Sequence, residues 1–167
     1  FARAGVPVRV FVPAATSAGK LAQMYAHGAE VVLVDGDRAA TAAAAREAAD
    51  EPGAMYASHV YHPYFVHGVK TYGYEIWEQL GHRVPDVVMV PVGNGTLVLG
   101  CALAFAELHS HGLIDRVPRI VAVQTSACAP LAAAWSAGSN HVTPVPTRPT
   151  VAEGIAITAP PRGAQIL

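Results

Sequence analysis

The stretch "DVVMVPVGNGTLVLG", residues 86–100, decides how this chain is read. A valine-rich run reads as a buried strand. It stops at Gly93-Asn94-Gly95-Thr96, and an apolar, helix-compatible segment follows to about His109. Beyond the carboxyl end of a parallel strand, successive backbone N–H groups and the N-terminus of the next helix converge on one point, which favours a phosphate. Glycines let a ligand approach the backbone closely, and the Asn94 amide and Thr96 hydroxyl add donors. The same composition also suits an ordinary tight turn with glycine at positive φ. It is neither the dinucleotide fingerprint nor a P-loop, because no Lys-Ser or Lys-Thr follows. From the loop alone both readings stay open.

Working outward, the rhythm of strand and helix repeats. "VPVRVFVP" (6–13) and "EVVLVDG" (30–36) read as strands, the second almost wholly apolar, as strands covered on both faces tend to be. Between them "TSAGKLAQMYAHGA" reads as a helix with Thr16 or Ser17 as cap, Leu21, Met24 and Tyr25 on one face, and Gly28 as its end. "DRAATAAAAREAAD" (37–50) is an alanine-rich helix begun by Asp37, at the favourable end of the helix dipole. Residues 69–81 read as an amphipathic helix with Tyr72, Ile76 and Leu80 on one stripe and Gly81 as the stop. "RIVAVQT" (119–125) reads as another buried strand, and "SACAPLAAAWSAG" as a helix ending at Gly138. Residues 139–150 read as a proline-rich surface loop, and 151–157 as an ordered element. This alternation indicates βαβ units and an α/β fold. The aromatic, histidine-rich segment 51–68, where Pro52, Gly53, Pro63 and Gly68 prevent a continuous element, breaks the rhythm and reads as a crossing between two lobes.

Composition narrows the function. The chain is 52% hydrophobic and only 14% charged, which excludes a disordered chain. Its net charge of −1, with no basic run, argues against nucleic acid or an anionic membrane as partner. Residues 87–106 carry no charge, but Pro91, Gly93, Asn94 and Gly95 interrupt them, so strand, loop and helix are expected rather than a membrane span. Cys101 and Cys128 are too few for a disulfide scaffold and fit a reducing, cytoplasmic interior. No leader pattern is visible at the start, and both ends look cut from a longer protein.

His59, His62 and His67 invite a metal reading, but Pro63 breaks the segment and no Cys or Asp joins them, so packing is expected and no metal. Cys101 and Cys128 lie in apolar settings that suit packing better than nucleophilic chemistry. Of the only lysines, Lys20 and Lys70, the second is the better functional candidate, although a salt-bridged role is the default for both.

Several stretches together resemble one family. "AGVPVRVFVPAATSAGKLAQMYAHGAEVVLVDG" (4–36) is similar to the small-domain segment of fold-type II pyridoxal-phosphate enzymes. "HPYFVHGVKTYGYEIWEQLG" (62–81) and "PDVVMVPVGNGTLVLG" (85–100) resemble the segment running from Asn-Pro-Tyr through Glu-Gly-x-Lys-Thr to the glycine loop. "TVAEGIAI" (150–157) resembles the segment bordering the cofactor ring. Threonine synthase and its near relatives form the most similar sub-group. The resemblance implies two lobes of open parallel sheet with flanking helices, residues 1–58 from a small domain and 59–167 from a large one. It implies pyridoxal 5′-phosphate as cofactor, with Gly93, Asn94, Gly95 and Thr96 around its phosphate and Glu153 and Gly154 near its ring. The implied activity is that of a pyridoxal-phosphate-dependent lyase: elimination or replacement on a small amino acid, for example O-phosphohomoserine to threonine. Serine/threonine dehydratase and diaminopropionate ammonia-lyase chemistry are the alternatives.

The departures are specific. The family's Schiff-base lysine precedes a Ser-Ser-Gly-Asn motif, and neither is matched here; Lys20 and Lys70 match other positions. His67 stands where the family has Glu. The chain alone is therefore expected to be inactive, completed by the remainder of its polypeptide or working as a homodimer. A lysine-lacking binding or partner module is the rival reading.

Overall fold

The computed structural model describes residues 1–36 and 38–167. The reading of Asp37 as a helix start lies outside the described residues. The chain divides into two compact units, Phe1–Ala57 and Ser58–Leu167. The fold is α/β, with parallel strands and flanking helices in both.

In the first unit β1 (Arg9–Pro13) pairs in parallel with β2 (Glu30–Val34), in register from Arg9 opposite Glu30 to Pro13 opposite Val34. Parallel neighbours need a crossover, and α1 (Ala18–Ala26) supplies it. Ser17 is the N-cap residue, but its side chain makes no capping bond. Gly28, at φ 78°, turns the chain out of the helix with its N–H donated to the Tyr25 carbonyl, as the sequence suggested. Leu21 and Met24 are half-buried, while Tyr25 is exposed. The helix α2 (Arg38–Ala48) packs on β1. Arg9 ties the sheet to the end of the unit, with Nε 3.2 Å from Glu30 and Nη1 3.0 Å from Glu51.

The second unit holds the larger core. Here β3 (Val87–Pro91) and β4 (Arg119–Val123) run in parallel, with α5 (Thr96–Ser110) as the crossover between them. Val90, Val92, Val98, Cys101, Phe105, Leu108, Ile114 and Leu131 form the buried cluster. Two short helices cover α5. The first, α3 (Phe65–Val69), runs almost directly into α4 (Thr71–Gln79), with Lys70 between them. Small residues make that approach possible: a Cβ on Gly100 would lie 3.1 Å from Val69 Cγ1 and 3.2 Å from Lys70 N.

One expectation needs correction. Gly68 does not break the chain, because it lies inside α3; glycine lowers helix propensity but is tolerated where the helix packs. The ordered element read within 151–157 is a 3-10 turn, Glu153–Ile155. After β4 comes α6 (Pro130–Ser136), ended at Gly138 (φ 61°), then a loop over 139–150, and finally α7 (Gly163–Ile166). Among the described residues no helix is long and apolar enough to cross a membrane.

Candidate functional site

The ladder between β3 and β4 ends where the Val92 N–H donates to the Val123 carbonyl at 2.9 Å. The backbone then turns sharply. Gly95 takes φ 101°, a left-handed conformation that disfavours a side chain, and caps α5, with its carbonyl accepting from Leu99 N. The Asn94 side-chain oxygen accepts the Thr96 N–H at 3.1 Å, a local turn that fixes the loop's shape. Thr96 is buried, and its hydroxyl lies 3.5 Å from the His59 carbonyl, at the outer limit of a hydrogen bond.

Donors are what this arrangement offers. The N–H groups of Gly93, Asn94, Gly95, Leu97 and Val98 donate to no acceptor among the described residues. Three belong to consecutive loop residues and two to the first turn of a 15-residue helix, whose dipole is positive at that end. A set of free amides at a helix N-terminus suits a phosphate dianion without any cation being required. The donor set therefore fits a phosphate group.

The second predicted segment meets the first. A Cβ on Gly93 would fall 3.2 Å from Gly154 O, Ile155 Cα and Ile157 Cγ1, so the loop and the 153–157 segment are in close contact and a larger residue at 93 would have to push that segment back by a few tenths of an ångström. Glu153 and Gly154 are exposed beside it. Thus Gly93, Asn94, Gly95 and Thr96 form one continuous turn, and Gly154 abuts its first residue.

The other candidates lie elsewhere. His59 stacks edge-on to Phe65 with ring centres 6.0 Å apart, and His62 contacts Tyr64 at 5.7 Å. Among the described residues no group of three His, Cys, Asp or Glu side chains could hold a metal. Cys101 and Cys128 are buried free thiols, and burial pushes the Cys101 thiol above its ordinary range. Lys70 donates to both Glu107 oxygens at 2.7 Å, and Tyr74 OH donates to the same carboxylate. That bonding holds the Lys70 ammonium above its usual value and the Glu107 carboxyl below its own. Lys20 is exposed on α1.

Two residues escaped the sequence reading. Gln124 directly follows β4, as Val92 follows β3. Its Oε1 accepts from Leu131 N at 2.9 Å and Ala132 N at 3.1 Å, while its Nε2 is buried without a partner. A polar residue just beyond a buried strand was the available signal. Arg162 donates from Nε and Nη2 to the Val60 carbonyl, at 3.1 and 2.5 Å, across 102 positions of sequence, and no local pattern announces such a bond.

Residues 2–167 match the model of one family, described as "Pyridoxal-phosphate dependent enzyme". The threonine synthase of Methanosarcina acetivorans is 34% identical over 167 residues, which is 99% of this chain and 41% of that protein. The L-threonine ammonia-lyase of Geobacter sulfurreducens is 37% identical over 158 residues, 93% of this chain and 36% of that protein. In three dimensions the chain is similar to maize serine racemase, with a TM-score of 0.78 at 21% identity over 98% of this chain and 48% of that one. The chain spans about two fifths of the length of the curated relatives named here.

Proposed function

This chain belongs to the pyridoxal-phosphate-dependent enzyme family, and from that premise we propose that its full protein eliminates or replaces a group on a small amino acid. The leading reaction is threonine-synthase-like, converting O-phosphohomoserine to threonine. A threonine ammonia-lyase reaction is the close alternative, favoured by the comparable identity to that relative. The family's cofactor is pyridoxal 5′-phosphate. When bound, its conjugated ring spreads the negative charge left at the substrate's α-carbon.

The observation that carries the proposal is the loop's unpaired amides. Among the described residues the N–H groups of Gly93, Asn94 and Gly95 have no other acceptor, and Thr96 closes the turn at the start of α5. In this reading they grip the phosphate, and Glu153 and Gly154 border the ring from the segment that touches Gly93. The cofactor-bearing lysine is assigned to neither Lys20 nor Lys70; Lys70 is already engaged with Glu107. Residues 1–58 then belong to the small domain and 59–167 to the large one of an enzyme that works as a homodimer. The 167 residues alone do not turn over substrate. A cytoplasmic location goes with this reading, because two buried free cysteines suit a reducing compartment.

Gly95→Ala tests the loop assignment. An alanine there must hold φ near 101°, which costs about 1–2 kcal/mol, and its Cβ would collide with Ile166. In the full protein, titration of pyridoxal phosphate followed by absorbance should show affinity lowered by more than about tenfold, with pyridoxal binding little changed. An unaltered preference for the phosphorylated form would remove the loop from the site. Assaying phosphate against ammonia release from O-phosphohomoserine and threonine decides between the two reactions.

A further inference from the structure

The candidate loop is backed by a turn whose anchoring its local contacts alone do not explain. A Cβ on Gly95 would meet Ile166 Cδ1 and lie 3.3 Å from Arg162 Cβ, so residues 162–166 press directly on the loop's outer side. That turn is short: α7 has four residues, and its start depends on a Gly163 so closely packed that a Cβ would lie 2.5 Å from Val142 Cγ2. What fixes it at a distance is Arg162. Two guanidinium nitrogens converge on the Val60 carbonyl, and Nη1 donates to Gln165 Oε1 at 3.0 Å. The preceding carbonyl, of His59, faces the Thr96 hydroxyl. One strip of backbone, 59–60, therefore meets the loop's last residue on one side and the arginine behind Gly95 on the other.

The charge is as informative as the geometry. Among the described residues the hydrogen-bond partners of Arg162, the Val60 carbonyl and Gln165 Oε1, are neutral, and it forms no ion pair with a carboxylate. Its positive charge is spent on orientation and left unneutralised in the residue that adjoins an anion-suited loop. A rigid planar fork is what Arg supplies and Lys does not.

We propose that Arg162 is a positioning residue for the phosphate end of the ligand: it locks the 162–166 turn behind Gly95 and so sets the loop's preference for a phosphate monoester over the same molecule without phosphate. The proposal rests on the assignment of residues 93–96 to the cofactor phosphate. It reaches beyond that assignment to a side chain that need not touch the ligand.

The test uses the full protein freed of cofactor, titrated with pyridoxal phosphate and with pyridoxal, for wild type, R162A, R162K and G95A. The ratio of the two affinities is the readout, because a loss of general stability weakens both ligands alike. R162A is expected to lower the ratio about tenfold. R162K, which keeps the charge but not the fork, should fall between R162A and wild type. If R162A does not fold, Q165A, which frees one arm of the guanidinium, and R162K carry the same comparison. A ratio unchanged in R162A, or in both of these substitutes, overturns the role of Arg162 while a collapsed ratio in G95A keeps the loop assignment. A ratio unchanged in G95A overturns both.

Discussion

At the residue scale, the Lys70–Glu107–Tyr74 cluster is where pH should be felt. Lys70 first, then Tyr74, hold the Glu107 carboxyl below the usual carboxylate range. Its contribution to stability is therefore complete above the unfolded value, about 4.3, and is lost as pH falls through the lower folded value. Lys70 works in the opposite sense. Glu107 holds its ammonium above the ordinary value, so that contribution is present below about 10.4 and is lost as pH rises through the folded value. The melting temperature of the full protein should exceed that of E107Q by most between about pH 5 and 9, and the gap should close toward pH 3. A gap independent of pH between 3 and 7 would rule out the ion pair as its cause. Gly73 gives a second test of packing. A Cβ there would lie 2.5 Å from Ala104 Cβ, between α4 and α5, so G73A should overpack the helix pair and cost about 1–3 kcal/mol in urea unfolding.

At the element scale, the strands and their crossovers were legible because apolar runs bounded by glycine and proline carry their own signal. β3, the glycine loop and α5 follow the pattern of residues 86–100 closely, and β4 lies within 119–125. What escaped depends on contacts distant in sequence. The sharpness of the Gly95 turn is a local matter of φ, but the seal by Ile166 and the fork of Arg162 on Val60 join residues far apart in the chain. Gly68 misled because a glycine's preference for breaking a helix was outweighed by packing of α3 on α5. Gln124 shows the same limit from the other side. Its Oε1 accepts the first free N–H groups of α6, so Q124A should destabilise the protein by about 1 kcal/mol, as lost caps do. Q124E keeps the acceptor, adds a negative charge at the positive end of the helix, and removes the buried Nε2 that has no partner. It should match or exceed the wild type in chemical denaturation. A loss as large as that of Q124A would mean that the Nε2 donor has a partner in the full protein.

At the scale of the whole chain, stability should be unevenly divided between the units. Each contains one two-stranded parallel sheet, and two strands alone are marginal in water without packing on a core. The second unit has that core, in eight buried side chains gathered around α5. Among the described residues the first contributes only Val12 to the buried hydrophobic residues. Its strand β2 read as covered on both faces, yet Leu33 is 51% exposed; Met89 on β3 is 69% exposed. Both strands thus carry more apolar surface than these 167 residues cover, as suits a chain spanning 41% of one relative and 36% of another. Exposed apolar area on sheets is where association and further packing act. Hydrogen exchange on the 167-residue chain should therefore protect amides of β3, β4 and α5 well above those of β1 and β2. In the longer polypeptide the β1 and β2 amides should slow by at least about tenfold, the factor produced by 1.4 kcal/mol of added local stability. Equal protection of the two sheets in the short chain would show that Val12 and the flanking helices suffice for the first unit. The apolar surface on β2 would then need another explanation.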